Sequence, residues 1–200
     1  GWNLLRFRRP LGIVNFGNMA QREGEVTIKV GNGRDPGGGP GLVFHFAAEP
    51  DVRRGESNPQ EIWRQNVEGT KTVLRACERA GGVETVVFAS TSTVYGNTRI
   101  IPTPEDEPLA PVSEYGKTKA EAEKLVAEFC KKNKWRGLVV RFANVIGTNS
   151  SHGVIFDFFK KLEKNPLELE VLGDGNQDKS YLYVGDAVSA VLAALEKGLG

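Results

Sequence analysis

The run Thr85-Val86-Val87-Phe88-Ala89 constrains this chain more than any other stretch. Successive side chains of a strand point to opposite faces, so a strand that is apolar throughout needs cover on both sides. An open α/β sheet with parallel strands provides that cover, and the run predicts a buried strand within one. Leu42-Val43-Phe44-His45-Phe46-Ala47 is a second apolar run, suited to a central parallel strand. Between the two lies a helical pattern from about Pro59 to Ala80. Its apolar positions are Ile62, Val67, Val73, Leu74 and Cys77, and Gly81-Gly82 stops it. Strand, helix and strand in that order form a parallel, right-handed unit.

The alternation continues. A helix is predicted from about Tyr115 to Lys132, with Ala122, Leu125, Val126 and Phe129 on its apolar face. A strand follows over Leu138-Val139-Val140-Arg141-Phe142. Beyond it come a helix over Gly153 to Asn165, an alternating strand over Leu167 to Val171, and a last helix over Ala187 to Lys197 capped by Asp186.

The carboxyl end of the Thr85 strand leads into Ser90-Thr91-Ser92-Thr93-Val94-Tyr95-Gly96. In open parallel sheets that rim is where ligands bind. Tyr115-Gly116-Lys117-Thr118-Lys119 opens the next helix, and residues four apart on a helix share a face. An ammonium beside a phenol favours the phenolate, so Tyr115 is expected below its ordinary pKa of about 10. With a Thr hydroxyl converging on the same point, the set can handle the proton of an alcohol carbon. Between the two stretches, Ile101 to Pro111 contains four prolines and reads as an irregular loop able to carry specificity. Its Glu105, Asp106 and Glu107 read as solvated surface.

At 200 residues, 40% hydrophobic and 26% charged, the chain is long and apolar enough for one sizeable core. A net charge of +1 gives no reason to expect nucleic acid or an anionic membrane as partner. No stretch approaches the ~18 consecutive apolar residues of a membrane span, and no signal peptide is visible. Cys77 and Cys130 fall on apolar helix faces, as small core residues of a reducing compartment, which points to the cytoplasm. No metal site is expected.

Residues 1–41 are less regular and read as a remnant with one strand, Glu25 to Val30. Gly31 to Gly41 then holds six glycines. A glycine-rich segment after a strand invites a dinucleotide-loop reading, because bare N–H groups can approach a pyrophosphate there. That loop needs a helix opening straight after it, and the interspersed Pro36 and Pro40 do not supply one.

Thr91, Tyr115 and Lys119, with the hydroxyl cluster before Val94-Tyr95-Gly96, resemble the Ser/Thr-Tyr-Lys triad of the extended short-chain dehydrogenase/reductase family. Within that family the chain is similar to NAD-dependent sugar-nucleotide epimerases of the UDP-glucose 4-epimerase type. The resemblance covers Leu42 to about Leu195. It implies an α/β fold, a Rossmann-like, doubly wound, mostly parallel sheet that is incomplete at the N-terminus. Residues 42–200 would form this core, with about 150–186 beginning the substrate-binding region. The family's first strand and glycine-rich helix start have no counterpart, and Gly37 to Gly41 stands where a helix is usual.

By the same resemblance, Thr91, Tyr115 and Lys119 are catalytic, and the cofactor is NAD. Asn32, in Gly31-Asn32-Gly33-Arg34-Asp35, takes the place of an acidic residue at the adenine end. Ala47, Ala48, Ser90, Tyr115, Lys119, Phe142 and Val145 complete the cofactor contacts. Thr91, Ser92, Asn144 and Lys179 face a nucleotide-sugar substrate, a UDP-sugar by analogy. A second reading of Asn144 is turn geometry. Lys179 stands where Arg is usual, keeping the charge without the bidentate fork. Asn66 reads as a structural hydrogen-bonder and His45 as a hydrogen-bonded core histidine.

In the implied reaction Tyr115, as phenolate, takes a proton from a sugar hydroxyl while hydride leaves the same carbon for NAD. The keto sugar turns over and regains hydride on its other face. Dehydratases of the family carry Asp and Glu directly after the triad Thr, where this chain has Ser92 and Thr93, which argues against dehydration. A homodimer through helices 59–80 and 115–132 is also implied. The competing expectation is a truncated, catalytically silent homologue that acts at most as an interaction module.

Overall fold

The structure, a computed structural model, describes residues 41–50, 56–148, 150, 153–176 and 178–198. The strand and glycine-rich segment expected before residue 41 lie outside them. The chain divides into two compact units, the first running to Phe142 and the second from Ala143 to Lys197.

Among the described residues of the first unit, three strands pair in parallel in the order β1 (Leu42–His45), β2 (Thr85–Thr91) and β3 (Arg136–Phe142). The apolar run thus becomes the middle strand. Val43 pairs with Val86, and Phe88 with Val139. One continuous helical crossover joins β1 to β2. It comprises α1 (Pro59–Trp63), a π-helical segment (Arg64–Glu68) and α2 (Gly69–Ala80). Asn58 caps its start by accepting from the Glu61 N–H at 3.2 Å, with Pro59 at the first helical position where no donor is needed. Gly81, at φ 69°, ends it as the sequence predicts.

The second crossover holds a short 3₁₀ turn (Ser92–Tyr95), the proline-rich loop, and α3 (Glu114–Asn133). Val43, Val86 and Phe88 of the sheet meet Val73, Leu74 and Cys77 of α2 and Ala122, Val126 and Cys130 of α3 in one core. Burying side chains of this size contributes about 1.5–3 kcal/mol each before entropy is counted. Both cysteines are free and buried. This is the Rossmann-like α/β arrangement expected from the sequence.

The second unit contains β4 (Asn144–Ile146), α4 (Val154–Lys164), β5 (Tyr181–Tyr183) and α5 (Val184–Glu196). β4 and β5 pair in parallel, a pairing the sequence reading missed because each strand is only three residues long. The strand expected over Leu167 to Val171 does not form: Leu167 is 94% exposed, and the segment has no partner strand among the described residues. Asp186 lies inside the first turn of α5 rather than at its cap, which is Tyr183. There its charge favours the positive helix end without closing it. No helix among the described residues is long and apolar enough to cross a membrane.

Candidate active site

The carboxyl end of β2 and the first turns of α3 are held together by close backbone approach. A Cβ added to Gly116 would lie 3.0 Å from both the Thr93 carbonyl oxygen and Pro111 Cβ, a contact tight enough that a larger residue would have to push the 3₁₀ turn or the loop back by a few tenths of an ångström. Ser113 caps α3 by accepting from the Gly116 N–H at 3.1 Å. Thr91 caps the 3₁₀ turn, its Oγ1 accepting from the Thr93 N–H at 3.2 Å. The result brings the Thr91 hydroxyl close enough to act on the Tyr115 phenol, the pair the sequence singled out.

Lys119 follows one turn along α3 and is 3% exposed. Its Nζ lies 4.3 Å from the centroid of the Phe88 ring, a cation–π contact, and has no hydrogen-bond acceptor among the described residues. Burial lowers its pKa to about 8, with the Glu123 carboxylate acting in the opposite direction. The expectation for Tyr115 needs correction. Burial raises its pKa, and the Thr91 hydroxyl only partly offsets that rise. Desolvation of the phenolate dominates, so in the free chain Tyr115 is a neutral phenol.

Two further side chains fix this geometry. Asn66, buried in the π-helical segment, accepts from the Glu49 N–H at 2.7 Å. It donates to the Glu49 carbonyl at 3.1 Å and to Thr118 Oγ1 at 3.1 Å. Thr118 in turn donates to the Tyr115 carbonyl at 2.8 Å. Asn66 therefore links the segment after β1 to the turn of α3 that carries Tyr115 and Lys119, the structural role expected of it. His45 is buried with Nε2 2.9 Å from Thr70 Oγ1. Because Thr70 spends its own proton on the Asn66 carbonyl at 2.6 Å, His45 must donate through Nε2. Burial and the Lys119 charge push its pKa down to about 3, so it is a neutral core histidine.

Ser90 is committed to Glu123, to whose Oε1 its hydroxyl donates. Ala47 and Ala48 follow directly on β1 and remain at least partly exposed. Phe142 meets Phe46 edge to face at 6.2 Å. Ser92 is exposed. Asn144, Val145 and Lys179 belong to the second unit, where Asn144 Nδ2 donates to the Ser180 carbonyl at 3.1 Å and ties β4 to the approach of β5. Asn32 lies outside the described residues. Sequence reasoning overlooked Glu123 and Arg141 as partners of the site. The available signal was Glu123 itself, a carboxylate four residues after Lys119 and beside the core position Ala122.

A sequence model of the NAD dependent epimerase/dehydratase family matches residues 36–199. The chain belongs to this family. A putative UDP-glucose 4-epimerase of Methanocaldococcus jannaschii is 35% identical over an alignment 162 positions long that covers 77% of this chain and 52% of that protein. A crystal structure of a UDP-galactose 4-epimerase shares 49% identity at a TM-score of 0.72, over 79% of this chain and 51% of that one. The UDP-glucose 4-epimerase of Thermotoga maritima, solved with UDP-glucose, shares 32% identity at a TM-score of 0.72, over 78% and 52%. The chain thus spans about half the length of these relatives. Sugar-nucleotide dehydratases also occur among the matches. Family members are NAD-dependent epimerases and dehydratases.

Proposed function

We propose that this chain carries the reaction core of an NAD-dependent nucleotide-sugar epimerase acting on a UDP-sugar. The observation that carries the proposal is the meeting of Thr91, at the carboxyl end of the middle strand, with Tyr115 at the start of α3, and buried Lys119 one turn away. The site suits the cofactor in one specific respect. A buried lysine whose ammonium lacks an acceptor among the described residues matches the hydroxyls of a nicotinamide ribose. When bound, NAD would supply the acceptor and then the donor of the hydride.

The chain's own groups do the rest. Thr91 orients the sugar hydroxyl, and Tyr115 takes its proton as the carbon is oxidised. A positive charge nearby is what Tyr115 needs, since burial alone holds it protonated. Lys119 supplies part of that charge. Ser92 and Thr93 follow Thr91, and neither is an acid or base near neutral pH, which supports epimerisation over dehydration. By the same resemblance Asn144 falls to the diphosphate or sugar of the substrate and Lys179 to its phosphate. Dimerisation through helices 59–80 and 115–132 belongs to the same reading, and a monomer in sedimentation would remove that part of it.

Calorimetric titration of the purified chain with NAD and UDP-glucose, separately, tests the proposal. Micromolar NAD binding that disappears in Tyr115→Phe/Lys119→Ala is the expected result. Absence of binding at millimolar NAD overturns the claim that this chain acts unaided.

A further inference from the structure

Lys119 and Glu123 are four residues apart on α3, the spacing at which a lysine and a glutamate ordinarily pair. Here they do not. Glu123 is 7% exposed, and both of its oxygens are taken by Arg141 of β3. Arg141 Nε donates to Oε1 at 3.1 Å and Nη2 donates to Oε2 at 2.9 Å, a side-on, two-point pair. Ser90 adds a further donor to Oε1.

Arg141 is itself fixed from the other side. Its Nη1 donates to Tyr95 Oη at 2.7 Å and to the Glu105 carbonyl at 2.8 Å, and the guanidinium lies 4.8 Å from the Tyr95 ring centroid. The carboxylate is therefore saturated by partners away from Lys119, while the ammonium rests on the Phe88 ring with its three donors unused among the described residues. The other titratable groups near Lys119 are Tyr115, one turn back on its own helix, and His45 from β1, which is neutral. Glu123 is then the carboxylate whose charge reaches Lys119.

We propose that Arg141 is a positioning residue for this site: by holding Glu123 in a two-point pair, it keeps that carboxylate off Lys119 and leaves the ammonium's donors open to the oxygens of a ligand. An ammonium already paired with a buried carboxylate would have to break that pair to bind, and Arg141 removes this competition in advance. The same contact couples the site to the proline-rich loop, because the guanidinium that restrains Glu123 also grips Tyr95 and the Glu105 carbonyl.

Trace labelling of amines with acetic anhydride tests this without cofactor or substrate, so it can fail separately from the epimerase reading. The rate at Lys119 is read by mass spectrometry of the peptide that carries it, at pH 7.5, with circular dichroism as a check on the fold. In Arg141→Met, Glu123 is released to pair with Lys119, and the labelling rate falls at least fivefold. In the double variant Arg141→Met/Glu123→Gln the competing carboxylate is gone, and the rate returns to within twofold of the parent or exceeds it. Arg141→Lys, which keeps one contact to Glu123, shows the same ordering with a smaller fall and serves if Met is not accommodated. An unchanged rate in the folded Arg141 variants overturns the proposal. So does a fall that Glu123→Gln does not restore, since that would make Arg141 a purely structural residue.

Discussion

Replacing Asn66 tests whether one amide holds the segment after β1 to the helix that carries Tyr115 and Lys119. In Asn66→Ala three partners lose their bond: the Glu49 N–H, the Glu49 carbonyl and Thr118 Oγ1. A buried group left unsatisfied costs about 1–3 kcal/mol. The Glu49 groups are only partly buried, so water can reach them and each falls at the low end of that range. Thr118 keeps its bond to the Tyr115 carbonyl and loses only a donor. The sum is a destabilisation of about 2–3 kcal/mol. Urea unfolding followed by circular dichroism measures it, with an unchanged m-value as the sign that the unfolded state is not the cause. Asn66→Asp sharpens the test, because it places a carboxylate where two amide donors pointed. Thr118 could satisfy it only by turning its proton away from the Tyr115 carbonyl. At neutral pH the Asp variant is therefore at least as unstable as the Ala variant. A loss below about 0.5 kcal/mol in Asn66→Ala, the range of an ordinary surface change, or an Asp variant near the parent, refutes this account.

Two other outcomes follow from the same contacts. His45 has a folded pKa of about 3 against 6.5 unfolded, so the unfolded chain binds the proton first. The stability from keeping it neutral is complete above 6.5 and is lost as pH falls, by about 1.4 kcal/mol per unit. Between pH 7.5 and 5.0, His45→Asn, which keeps a donor for Thr70, should lose about 2 kcal/mol less than the parent in urea titrations; equal losses refute it. Gly96 sits at φ 67°, and a Cβ there would run into the Ala110 carbonyl oxygen. Gly96→Ala should displace the proline-rich loop, cost about 2 kcal/mol or more, and speed proteolysis within residues 97–111. Unchanged cleavage in that loop would count against the contact.

The parallel core was legible because its signals are local and redundant. Val86, Val87 and Phe88 need cover on both faces, and Gly81-Gly82 mark where the preceding helix must stop. Thr91, Tyr115 and Lys119 were legible because a strand end and a helix start place them independently. The sign of the Tyr115 shift was not. It depends on how much water the fold removes from the phenol, and that is set by tertiary packing rather than by the interval to Lys119. The Glu123–Arg141 pair joins a helix to a strand eighteen residues away and leaves no periodic trace. In the second unit, β4 and β5 were too short to show alternation, while Leu167 to Val171 alternates but has no strand to pair with among the described residues. Pattern predicts a strand only where pairing completes it.

Helix α3 carries Tyr115 and Lys119 near one end, and Ala122, Val126 and Cys130 farther along. The last three are wedged into the core. The helix works like a keyed shaft, with its angular setting fixed by the teeth at one end and its working arms at the other. A roll of about 7° carries a group lying about 8 Å from the axis through roughly 1 Å, a displacement that costs an active site about a hundredfold in rate. Substitutions at Val126 or Cys130, about two or more turns along the helix from Lys119, would therefore be read out as errors of aim before they appear as loss of the fold.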